Sequence, residues 1–88
     1  IQQEKGIILL TNPAMNNINI LFKNQPGDYT IDLYDNIGHR IKTEITNIIG
    51  GEDIYSTNAR GLARGIYYIK LMNHQTKSIT TLKVIIMD

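Results

Sequence analysis

His39 and His74 are the side chains in this sequence best suited to bind a metal or move a proton near neutral pH. Each stands in or beside an expected turn, with no second histidine at ligand spacing and no cysteine in the chain. Both read as exposed turn residues. Ser56 and Ser78 lack a nucleophile elbow, since no Gly-x-Ser-x-Gly occurs. Asp28, Asp32 and Asp35 could supply oxygens to calcium, but they lack the short Asp-x-Asp-x-Asp-Gly loop that brings several oxygens together. Asp32 reads as a residue of a solvated strand face, and Asp28 and Asp35 as turn caps. Tyr34, Tyr55, Tyr67 and Tyr68 would suit sugar stacking if they shared an exposed face. Tyr67 and Tyr68 are adjacent and must point to opposite sides of a strand, so at least one belongs to a core. No catalytic, cofactor or metal site is expected.

The elements that would position these groups are strands. Ile7 to Leu10 is a short apolar run stopped by Asn12-Pro13, where proline removes a ladder donor. In Ile18-Asn19-Ile20-Leu21-Phe22 the residues Ile18, Ile20 and Phe22 share a face. Tyr29 to Asp35 buries Tyr29, Ile31 and Leu33 and turns outward Thr30, Asp32 and Tyr34. The turn Asn36-Ile37-Gly38 leads into a return strand, Arg40 to Ile45, with Ile41 and Ile45 expected on the core face and Arg40 and Lys42 in water. Gly50-Gly51 precedes a weaker strand, Asp53 to Thr57, and residues 58–64 leave room for one helical turn. Gly65 opens the strand Ile66 to Met72. A turn at residues 73–76 leads to a last strand from Ser78 or Ile79 to Met87, with Leu82, Val84 and Ile86 inward and Lys83, Ile85 and Met87 outward. Strand signals every 8–12 residues with no helical periodicity predict an all-β, antiparallel sandwich of about seven strands.

Eighty-eight residues with 42% hydrophobic content support one core, burying roughly 60–65% of the unfolded chain's surface. Residues 1–6 read as the tail of a linker and residues 7–88 as a single sandwich domain. Nine basic against eight acidic residues leave a net charge of +1, too little to gather nucleic acid. The apolar run Val84 to Met87 is far short of the roughly 20 residues that span a bilayer.

What remains is recognition. Lys70, Lys77 and Lys83 lie on the last two strands or the turn between them, and the final strand offers Val84, Ile85, Ile86 and Met87 beside Lys83. Modest charge beside an apolar strand edge suits a protein partner or a second copy pairing strand to strand. Asn12, Pro13, Gly38 and Gly65 are expected to serve the turns.

Four motifs occur in a telling order: Asn12-Pro13; Leu33-Tyr34-Asp35-x-x-Gly38; Leu62-x-x-Gly65-x-Tyr67; and the basic, apolar strand Lys83 to Ile86. From Thr11 to Ile86 the chain resembles the type A C-terminal sorting domain of the type IX (Por) secretion system of Bacteroidetes. The resemblance implies an immunoglobulin-like β-sandwich that acts as a secretion signal and not as an enzyme. It implies as partners an outer-membrane translocon and a shuttle protein. It also implies a cell-surface sortase that cuts in or before residues 1–6 and joins the cargo to lipopolysaccharide. The parent would be exported through the periplasm to the cell surface or outer membrane, or secreted. An aromatic residue often precedes the Asn-Pro in that family, whereas Leu10-Thr11 precedes it here. The family's last residues are often basic; Ile86-Met87-Asp88 would suit a variant that is recognised without being removed. The alternative, from the sandwich alone, is an appended adhesion or carbohydrate-binding module of a surface protein.

Overall fold

The computed structural model describes residues 6–10, 13–14 and 16–87. Seven strands occur among them: β1 (Gly6–Leu9), β2 (Asn17–Lys23), β3 (Gly27–Asp35), β4 (Arg40–Ile48), β5 (Glu52–Asn58), β6 (Gly65–Asn73) and β7 (Ile79–Ile86). They form two antiparallel sheets, one ordered β1-β2-β5 and the other β4-β3-β6-β7, an order consistent with an immunoglobulin-like sandwich. Residue 58 ends β5 and residues 59–64 form a turn and no helix, so the helical turn allowed at 58–64 by sequence does not form.

Period-two alternation builds the core. Ile18, Ile20 and Phe22 of β2 are fully buried and face Tyr29, Ile31 and Leu33 of β3 together with Tyr67, Ile69 and Leu71 of β6. Phe22 and Tyr29 meet with ring centroids 4.9 Å apart in a tilted pair. Val84 and Ile86 close the core from β7, and Ile7, Leu9 and Leu82 pack half-buried against it.

Strand β4 reverses the expected alternation. Its partners in the register are Lys42 opposite Leu33, Glu44 opposite Ile31 and Thr46 opposite Tyr29, so its polar residues share the inner face. Ile45, opposite Thr30, therefore lies outward and exposed, and Ile41, the extra residue at the irregularity, is exposed as well. The physical cause is register: an irregularity between Leu33 and Tyr34 sets the pairing, and a one-residue change exchanges every side chain between faces. Two of these polar groups, those of Lys42 and Glu44, bond across the seam between sheets. Lys42 Nζ donates to Asn58 O at 2.9 Å, and the Tyr55 hydroxyl donates to the Glu44 carboxylate.

Two glycines stand where the backbone demands them. Gly38 has φ +92° in the β3–β4 turn and Gly65 has φ +150° at the entry to β6. Asp35 caps that first turn, its Oδ1 accepting from Ile37 N at 3.1 Å and His39 N at 2.8 Å. Pro13 forms an exposed bend, while Asn12 and residues 1–5 of the expected linker lie outside the described residues.

Candidate recognition surface on β6 and β7

The register of β3, β6 and β7 places distant residues in rows on the outer face of the larger sheet. Asp32, Lys70 and Thr81 form one row, and Tyr34, Tyr68 and Lys83 the next. Lys70 and Lys83 are thus diagonal neighbours, a relation that puts such residues about 7–8 Å apart. Asp32 stands opposite Lys70 and accepts a 2.5 Å hydrogen bond from Thr43 Oγ1. The sheet therefore brings Lys70 and Lys83 together.

Lys77 stands apart from them. It sits in the β6–β7 turn with φ +65°, and the six-residue run to Lys83 corresponds to roughly 20 Å of strand. Val84 and Ile86 are buried in the core, so a partner meeting the folded domain does not touch their side chains. Ile85 is half-buried on the outer face, and Met87 is exposed just beyond the strand. Exposed Ile45, Ile66, Tyr68 and Ile79 share this outer face, a grouping that strand alternation alone did not reveal. The available signal was the β6–β7 hairpin, whose register lines up Ile66 with Ile85 and Met72 with Ile79.

One buried asparagine ties the hairpin to the rest of the domain. Asn73 Oδ1 accepts from Gln75 N at 2.8 Å and Thr76 N at 3.1 Å, while its Nδ2 donates to Pro26 O at 3.2 Å. Beside it, Gln75 Oε1 accepts from Asp28 N at 3.0 Å, and Gln75 Nε2 donates to Asp28 Oδ2 at 3.1 Å. Asn47 Nδ2 donates to Asp28 Oδ1 at 2.8 Å. Asn47 and Gln75 thus hold the Asp28 carboxyl below the usual aspartate range. Asp28 is a bracket between β3, β4 and the β6–β7 turn, a role different from the turn cap expected of it.

The other candidate groups are dispersed. His39 lies 3.2 Å from the Asp35 carboxylate on the surface, whereas His74 Nε2 meets Thr30 Oγ1 at 2.5 Å. The Ser56 and Ser78 hydroxyls bond to Asn19 and Thr76 rather than to a histidine. No group of three or more His, Cys, Asp or Glu residues suited to a metal ion occurs among the described residues. Tyr67 turns inward, with its hydroxyl donating to Ala63 O at 2.6 Å, and Tyr55 lies at the seam. Only Tyr34 and Tyr68 of the four tyrosines share the outer face, so no four-ring platform forms.

At the seam, burial and the neighbouring Glu44 carboxylate push the Tyr55 hydroxyl's pKa up, while the Tyr55 hydroxyl holds the Glu44 carboxyl below its ordinary value. Thr57 Oγ1 is buried and meets no partner in good hydrogen-bond geometry.

Strands β2 to β7, and with them this hairpin, are covered by one family model: the secretion system C-terminal sorting domain matches residues 11–87. The chain belongs to that family. No curated protein and no solved structure matches it. As a type IX sorting domain it is a signal that engages secretion machinery and directs export to the cell surface or beyond.

Proposed function

We propose that this sorting domain is read in its folded state, through the outer face of β6 and β7 around Lys70 and Lys83, by the outer-membrane translocon and a shuttle protein. The family match over residues 11–87 carries this reading. On that basis a cell-surface sortase then cuts ahead of the sandwich, near residues 1–6, and the released cargo is joined to lipopolysaccharide. A compact sandwich is a reasonable address because its strands hold recognition groups in fixed rows without ordering them anew at each encounter. Lys70 and Lys83 add steering more than affinity, as partly exposed charges do.

The test is a reporter protein fused ahead of residue 1 in a host carrying a type IX system. Surface delivery of the wild-type fusion and periplasmic retention of the Lys70→Glu/Lys83→Glu double variant are expected, with both domains equally stable. Normal delivery of the double variant would remove the two lysines from the address, and failure of the wild-type fusion would refute the reading. Deleting Leu82 to Asp88 is a poorer test, because it strips Val84 and Ile86 from the core and confuses unfolding with lost recognition.

A further inference from the structure

Strand β7 forms one edge of the larger sheet, and among the described residues only its end is paired on that side. Ala14 runs parallel to its end, donating from its N to Ile85 O at 2.8 Å and accepting from Met87 N at 2.9 Å. These bonds show which backbone groups of β7 point away from β6. Ile85 and Met87 face outward, and the register from Met72↔Ile79 to Gly65↔Ile86 is unbroken. Alternation along an antiparallel strand then turns the N–H and C=O groups of Ile79, Thr81 and Lys83 outward too. Among the described residues, none pairs with those groups. The side chains nearby are also incompletely covered: β1 lies against β7, and inward-facing Ile7, Leu9 and Leu82 stay half-buried. Edges of this kind are commonly blunted by proline, a bulge, an inward charge or an edge lysine, and of these the stretch Ile79 to Lys83 carries only Lys83, at its end.

We propose that Ile79 to Lys83 is a strand-addition site that takes an extended segment of a partner protein antiparallel to β7. The proposal rests on the sorting-signal reading and says how that signal is held. Main-chain bonds to Ile79, Thr81 and Lys83 supply the pairing, while alternate side chains of the guest cover Ile7, Leu9 and Leu82. Opposite residues on paired strands share a face, so the guest residue opposite Lys83 is an acid and the one opposite Ile79 is apolar. A second copy fits less well. Two β7 strands paired about Thr81 would set each Lys83 against the other copy's Ile79, leaving the ammonium without an acid.

The test uses the 88-residue chain and the peptide acetyl-Ser-Glu-Val-Thr-Val-Ile-Ser-amide, read by residue-resolved amide hydrogen exchange. Saturating peptide should slow exchange at Thr81 and Lys83 by about tenfold or more. Thr81→Pro removes only an outward N–H, so the domain should keep its melting temperature within a few degrees yet bind the peptide about tenfold more weakly. Thr80→Pro removes an inward, ladder-bonded N–H and should unfold the domain, which confirms the direction of the groups. Unchanged exchange at Thr81 and Lys83 with millimolar peptide overturns the proposal. So does protection that appears without peptide and grows with protein concentration, which would assign the edge to a second copy. The reporter fusion separates this result from the wider reading. Delivery of wild-type and Thr81→Pro fusions alike overturns strand addition but leaves the sorting signal standing; a wild-type fusion that stays in the periplasm refutes the signal, while the exchange experiment still decides the edge.

Discussion

Replacing Asn73 by alanine should cost this domain a large share of its stability. The side chain is 4% exposed and makes three hydrogen bonds, to Gln75 N, Thr76 N and Pro26 O. Each net bond contributes about 1 kcal/mol, and the orphaned Pro26 carbonyl adds a desolvation cost, so the loss is about 2–4 kcal/mol. A domain of this length holds in all about 4–13 kcal/mol. The melting temperature should fall by about 10–25 °C. Urea unfolding followed by circular dichroism measures the loss directly, with the midpoint lowered and the slope unchanged. Gln75→Ala is the matched control: its bonds to Asp28 are exposed, and it should lose about 1 kcal/mol or less. If Asn73→Ala unfolds within about 0.5 kcal/mol of wild type, the turn does not anchor the β6–β7 hairpin and the reasoning fails.

Thr57→Val removes a buried hydroxyl with no well-placed partner and keeps the shape, so it should be neutral or stabilising by up to about 1 kcal/mol; a clear loss in urea unfolding would mean that the hydroxyl is bonded. Acid should weaken the fold in a defined window. The Asp28 and Glu44 carboxyls titrate below their ordinary values, so their stabilisation is complete above the ordinary carboxylate range and is lost as pH falls through their lowered folded pKa values; carbon-detected NMR titration should place both inflections below those of free carboxyls. Gly38→Ala forces a side chain into φ +92°, and the melt should show a loss of about 1 kcal/mol or more, although nothing crowds the added Cβ. Phe22→Ala should cost about 3–5 kcal/mol by thermal melt, because its ring is fully buried against Tyr29.

The strands most legible in the sequence are those whose period-two pattern coincides with burial. β2 and β3 alternate apolar and polar residues along nearly their whole length, and Ile18, Ile20, Phe22, Tyr29, Ile31 and Leu33 are all buried. Strand β4 misled because its alternation is equally clean but inverted: Ile41 and Ile45 look like core residues, while the inward side carries Lys42 and Glu44. Their partners, Asn58 and Tyr55, lie beyond Gly50-Gly51 in the other sheet, and no local pattern announces a cross-sheet bond. The proposed recognition surface was legible in part for the same reason. Lys83 on an outward strand position can be read from alternation, but its neighbourhood with Lys70 depends on the β6–β7 register, which the turn at Asn73 sets. Asn73 itself looked like an ordinary turn residue, and its burial comes from the β2–β3 loop folding over it.

The last strand carries two kinds of information that a truncation cannot separate. Val84 and Ile86 belong to the core, so changing them alters the folded population of the whole domain. Lys83 and the outward backbone of Ile79, Thr81 and Lys83 lie at the surface, where a change can alter recognition at constant stability. Ala14 links the two, because its bonds to Ile85 and Met87 hold the end of β7 in place and, among the described residues, nothing pairs with its beginning. If the signal lay in a linear terminal segment, core and surface substitutions along β7 would impair export alike. If it lies in the folded edge, Val84→Ala should impair export only to the extent that it unfolds the domain, whereas Thr81→Pro should impair it in a domain that melts normally. The ratio of export loss to stability loss, position by position along β7, therefore distinguishes a sequence tag from a folded address.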